Sequence, residues 1–210
     1  MGLKRPLAHP IVGQTLEDLA KLIELGAKRV VADLDDPEAV HDFRVAIRRV
    51  RTVLRASRQV YGRKRAVALE VTFKRFGDAT NALRDEEVLE GTIGAVDIGG
   101  AARSSAREWL QRRRLREAGL RRQAKALLTS GTVGEGVIFL RSVIANGPQK
   151  RLSLKQFSNS VVRRALRDVQ DLLPVEADNV AALHRLRIRF KRLRYTCEML
   201  DSFVATQPKG

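Results

Sequence analysis

Apolar side chains recur at helical spacing along almost the whole chain. Leu16, Leu19, Leu22, Ile23 and Val30 predict a first helix from Thr15 to about Leu34. Residues 1–12, which contain Pro6 and Pro10, read as an N-terminal tail. Asp35-Asp36-Pro37 supplies a break and a new start, because Asp36 suits an N-cap and a proline at the first helical position gives up no hydrogen bond. The second helix is expected from about Pro37 to Tyr61, stopping at Gly62, and a third from about Lys64 to Glu90, weakened at Gly77. Gly91 to Gly100 is a glycine-bearing connection. Helices follow over about Ala102–Leu128, with Gly119 a candidate break, and over Thr132–Ala145, closed by Asn146-Gly147-Pro148. Two more, Ser153–Leu173 and Asn179–Val204, are separated by Pro174 and an acidic linker. No run alternates as a strand does, so the expected class is all-α.

The second and last of these helices match each other. HDFRVAIRRVRTVLR from His41 aligns with HRLRIRFKRLRYTCE from His184 at an offset of 143 residues. His41 pairs with His184, Arg44 with Arg187, Arg48 with Lys191, Arg49 with Arg192 and Arg51 with Arg194. The apolar positions keep the same offset: Val40 with Leu183, Phe43 with Leu186, Ile47 with Phe190, Val50 with Leu193. Agreement in both charged and apolar positions points to duplication. It sets a first repeat over about 13–128, a second, partial one over about 132–204, and a C-terminal tail over 205–210.

Charge changes the picture next. The net charge is +16 and the pI about 11.0, a field that concentrates polyanions. At about 100° per residue, His41, Arg44, Arg48, Arg51 and Arg55 fall within an arc of about 80°. No Asp or Glu interrupts residues 43–69 or 179–197. Like charges at these spacings repel by a few tenths of a kcal/mol per pair, so a bound anion would offset the cost. An ordinary solvated face would interleave Glu with Lys and Arg. The lone Cys197 leaves no disulfide framework within the chain and no Cys-based zinc site, and nothing in the sequence calls for a metal or other cofactor. No stretch reaches the roughly 18 apolar residues of a membrane span, and the expectation is a cytoplasmic protein without a membrane.

The motif His41-x-x-Arg44-x-x-x-Arg48-Arg49-x-Arg51, repeated as His184-x-x-Arg187-x-x-x-Lys191-Arg192-x-Arg194-Tyr195, resembles the CHAD family, the conserved histidine α-helical domain. Arg75-Phe76-Gly77 and Leu83-Arg84-Asp85 are similar to the stretch that follows the family's first histidine helix. The resemblance implies two antiparallel four-helix bundles, related by a pseudo-twofold, around a basic groove that binds inorganic polyphosphate. It also implies association with polyphosphate granules. The triphosphate-tunnel domain fused to some members carries a Glu-x-Glu-x-Lys motif that is not found here. A second full repeat would run well past residue 210, so the second bundle is expected to be incomplete or to be completed by another chain, as in a homodimer.

The residues expected to bind polyphosphate are His41, Arg44, Arg48, Arg51, Arg55, His184, Arg187, Lys191 and Arg194, with Arg49, Arg192, Lys74, Arg75, Arg84 and Tyr195 as secondary contributors. From His41 to Arg55 the helix spans about 21 Å, which suits an extended polyanion better than a small phosphate ester. Arginine forks bridge phosphate oxygens, and histidine adds charge as the pH falls. No catalytic residue is expected. Two alternatives remain. Ala102–Lys125, with nine Lys or Arg against two Glu and with Trp109, could track a nucleic-acid backbone, although stacking aromatics are sparse. A phosphate-processing enzyme would need metal-binding carboxylates or a phosphate-cradling glycine loop, and neither pattern is present.

Overall fold

The computed structural model describes residues 6–33, 36–94, 99 and 102–205. Among these, nine helices appear in the order α1 Ala8–Ala32, α2 Pro37–Ala56, α3 Arg58–Tyr61, α4 Arg63–Ala79, α5 Asn81–Gly94, α6 Ala102–Thr129, α7 Thr132–Ala145, α8 Leu154–Gln170 and α9 Val180–Ala205. The protein is all-α. The predicted first-helix end at Leu34, Asp35 of the break, residues 95–98 and 100 of the glycine connection, and the outermost residues of both tails lie outside the described residues.

Local chemistry explains where the helices begin and end. Helix α1 starts at Ala8, inside the stretch that reads as a tail, because Pro10 sits in the first turn, where a missing N–H leaves no bond unmade. Asp36 caps α2, its Oδ1 accepting from the N–H groups of Glu38 and Ala39 at 2.9 and 3.1 Å. The predicted second helix is interrupted at Ser57, whose hydroxyl donates back to the Leu54 carbonyl, so α3 forms as a separate turn. Gly62 then ends it at φ +90°, a conformation that side chains disfavour. The long helix expected over Lys64–Glu90 is two helices. Thr80 breaks it by sending its hydroxyl to the Phe76 and Gly77 carbonyls. Gly119 leaves α6 unbroken. Ser153 and Gln156 form a capping box at the start of α8, and the Asn179 side chain accepts from Ala182 N–H at the start of α9.

The chain divides into two compact units. Unit 1 holds residues 1–18, 49–70 and 141–210, and unit 2 holds residues 19–48 and 71–140. In unit 1 the buried apolar side chains include Leu54, Val60, Tyr61, Leu69, Phe157 and Phe203, and the Phe157 and Phe203 rings stack 6.2 Å apart. Helices α8 and α9 pack against each other within it. Two backbone bonds fasten the start of the chain to the entrance of α8: Ala8 N–H to the Leu152 carbonyl and Leu154 N–H to the Pro6 carbonyl, at 2.9 and 2.8 Å.

In unit 2 the core includes Ile23, Phe43, Ile47, Phe73, Phe76 and Leu83. Helix α1 approaches α2 so closely that a Cβ on Gly26 would lie 3.1 Å from the Phe43 Cα. Helix α6 pairs with α5 through charge as well as apolar contact. Arg113 and Arg116 reach Glu86 at 2.7 and 3.2 Å, Arg114 reaches Glu90 at 2.8 Å, and Arg121 reaches both Glu87 and Glu117. Glu86 and Glu117 are buried, so removing an arginine would strand a carboxylate. No single helix among the described residues is long and apolar enough to cross a membrane.

Candidate functional site

Unit 1 holds a cleft of about 50 Å³ where the end of α2 meets α8 and α9. Arg55 and Thr52 line it from α2, Ser160 and Arg164 from α8, and Arg189, Arg192 and Thr196 from α9. An adjoining hollow is lined by Arg58, Gln59, Arg63 and Arg164. In the cleft itself guanidinium groups thus come from three helices and are interspersed with hydroxyls, which matches the donor requirement of phosphate oxygens.

The cations crowd one another. Arg55 is held below the usual guanidinium value chiefly by burial, with Arg192, Arg51 and Arg58 pushing the same way and Glu70 opposing. Arg192 is likewise lowered, first by burial and then by Arg189 and Arg51, against Asp168. Arg51 adds a buried Nε with no hydrogen-bond partner among the described residues. An unmet buried donor beside like charges is a costly arrangement that an incoming anion would relieve.

Two carboxylates set the boundary of this field. Glu70, almost fully buried, takes Arg58 at 2.7 Å and Arg55 at 3.5 Å. Asp168 lies 3.4 Å from Arg189. They hold the arginines in place without matching their number.

The expected site residues are distributed unevenly. Arg51, Arg55 and Arg192 share the electrostatic field of the unit 1 cleft. His184, Arg187, Lys191 and Arg194 are exposed on α9, with Arg194 3.3 Å from Glu198 and its guanidinium over the Tyr195 ring. By helical phase they lie about 140–160° around α9 from Arg189, the cleft-lining arginine. In unit 2, Arg44 is engaged by the fold, donating to the Gly77 carbonyl, Thr80 Oγ1 and Asn81 Oδ1. Lys74 pairs with Asp78, Arg84 pairs with Glu87 at 3.2 Å, and Arg48 and Arg75 are exposed, as is Arg49 in unit 1. His41 is half-buried, and its neighbour Asp42 is bound by Arg29 at 2.6 Å.

Sequence reasoning missed Arg164, Arg189, Ser160 and the clamping pair Glu70 and Asp168. A signal for α8 was available: Lys155, Arg163, Arg164 and Arg167 all precede its first carboxylate, Asp168. No group of three or more His, Cys, Asp or Glu side chains among the described residues could hold a metal ion.

An all-helical protein with an arginine-lined cleft is thereby defined. The family model for the CHAD domain matches residues 14–209, and the chain belongs to the CHAD family. It is also similar to the crystal structure of the CHAD domain from the plant Ricinus communis, with a TM-score of 0.72 and 21% identity over 96% of this chain and 68% of that one. At that identity the likeness shows the fold. Comparison with curated proteins gives no match.

Proposed function

We propose that the protein binds inorganic polyphosphate without transforming it, and that it does so at polyphosphate granules in the cytoplasm. The observation that carries this reading is the crowding of Arg51, Arg55, Arg189 and Arg192 in one partly desolvated field, with Arg164 opposite on α8. Several guanidiniums at a narrow cleft favour a ligand with closely spaced negative charges along its length, which polyphosphate supplies. Family membership supports the same ligand class.

The nucleic-acid alternative loses much of its footing, because four arginines of α6 are paired with the carboxylates of Glu86, Glu87, Glu90 and Glu117. Calorimetric titration with long-chain polyphosphate beside duplex DNA at physiological salt tests the proposal. Polyphosphate should bind at least about tenfold more tightly than DNA, and Arg164→Ala with Arg192→Ala should weaken it by about tenfold or more. Arg112→Ala with Arg122→Ala, two exposed positions on α6, should change it little. Equal loss from both pairs would mean diffuse attraction rather than a site.

A further inference from the structure

Helix α9 carries an apolar seam that α2 also has, but that α9 leaves open. Leu183, Leu186, Phe190, Leu193 and Cys197 follow one another in alternating steps of three and four residues, the spacing with which a helix presents one stripe to a partner helix. The 143-residue offset maps them onto Val40, Phe43, Ile47, Val50 and Leu54. Those five residues are all 1% exposed or less. On α9, Leu183 is 39% exposed and Phe190 50%, and Cys197 is exposed as well.

What closes the α2 seam defines what α9 lacks. Within unit 2, α1 packs on Phe43 at Gly26, and the end of α4 packs on Ile47 at Gly77. Arg44, on the flank of the seam, gives its guanidinium to oxygens of Gly77, Thr80 and Asn81. A covered seam therefore has helices across it and oxygen acceptors opposite its flanking arginine. Arg187, the counterpart of Arg44, is exposed, and Arg194 lies one heptad further along the same flank with its side chain 64% exposed. A helix laid along this seam would set its own flanking positions opposite Arg187 and Arg194. A second copy of α9 would bring arginine against arginine, which repels, whereas carboxylates there would pair with Arg187 and add to the pair that Arg194 makes with Glu198.

We propose that the Leu183–Cys197 seam of α9 is a docking site for an amphipathic helix of another protein, one whose apolar stripe is flanked by acidic residues. The apolar stripe would supply the contact energy and the acidic flanks the orientation and the discrimination against basic or self partners.

The test uses the full chain and a synthetic peptide of about four heptads, with Leu at the seam positions and Glu at the flanks, followed by fluorescence anisotropy at physiological salt. One peptide should bind per chain. A scrambled peptide of the same composition, and one with Lys in place of Glu, should each bind at least about tenfold more weakly. Phe190→Asp and Leu183→Asp should each weaken binding by about tenfold without lowering the melting temperature, since both side chains already meet water. Arg164→Ala, in the basic cleft, should leave peptide binding unchanged. Equal affinity for the scrambled peptide, or indifference to Phe190→Asp, would overturn the proposal. So would a mass of two chains in the absence of peptide that falls to one chain in Phe190→Asp, because that result gives the seam to a second copy.

Discussion

The guanidinium of Arg44 donates to the Gly77 carbonyl at 2.8 Å and so fastens α2 to the elbow between α4 and α5. The same group reaches Thr80 Oγ1 at 3.0 Å and Asn81 Oδ1 at 2.7 Å. Burial lowers its pKa, while Asp85 pulls the other way. A cation that the helical pattern places in an anion-gripping row thus serves the fold. Its sequence counterpart, Arg187, is exposed.

Arg44→Ala should therefore cost about 2–3 kcal/mol, because it leaves partly buried oxygens without their charged donor. Arg187→Ala should stay within about 0.5 kcal/mol. Urea unfolding of the two variants checks the difference, and equal small effects would return Arg44 to the pool of free cations.

The two seams should also differ in what truncation does to stability. Ile47→Ala removes a side chain that is 1% exposed and should cost about 2–4 kcal/mol. Phe190→Ala, at the matched position, should cost less than about 1 kcal/mol. Denaturant midpoints at constant slope report both values.

Two carboxylates should shape the acid limb with opposite signs. The Arg29 hydrogen bond, at 3.0 Å, holds Asp36 below its ordinary value. Its contribution is present above the ordinary aspartate pKa and is lost as the pH falls through the lowered one. Burial pushes Glu87 up, against the hydrogen bond from Arg84 and the charge of Arg121. Its contribution is complete below the ordinary glutamate pKa and is lost as the pH rises through the raised one. Asp36→Asn, which keeps a capping oxygen, should make the chain less sensitive to strong acid. Glu87→Gln should remove the opposite drift above the ordinary glutamate pKa. Thermal melts from about pH 2 to 7 separate the two.

Polyphosphate affinity should fall linearly with the logarithm of salt concentration, as counterions are released from the polymer. Replacing both Arg164 and Arg192 should flatten that slope by about one to two charges' worth, and replacing Arg112 and Arg122 should leave it alone. An unchanged slope in the first pair would place the phosphate contacts elsewhere.

Much of this was legible in the sequence because it depends on local chemistry. The helical spacing of Phe43, Ile47, Val50 and Leu54 marks one face of α2, and all four are buried. Asp36 announced a helix start through its capping oxygen. The break at Thr80 was hidden, because it depends on a side chain that competes for carbonyls and on an arginine 36 residues away. The abundance of arginine at the candidate cleft was legible, but the residues that line the cleft were not. Helical phase gathers Arg44 with Arg48 and Arg51, yet it cannot say that Arg44 meets Gly77. Nor can it say that α8 brings Arg164 to the cleft while Arg189, not Lys191, lines it from α9. Those assignments are tertiary.

The bonds between Pro6, Ala8, Leu152 and Leu154 make the stretch at the entrance of α1 a clasp on the base of α8. The helix that delivers Arg164 is therefore anchored by residues that look expendable. An expression variant trimmed to begin after Leu7, or a tag that pulls this stretch aside, would loosen one wall of the cleft while leaving in the sequence every arginine that lines it.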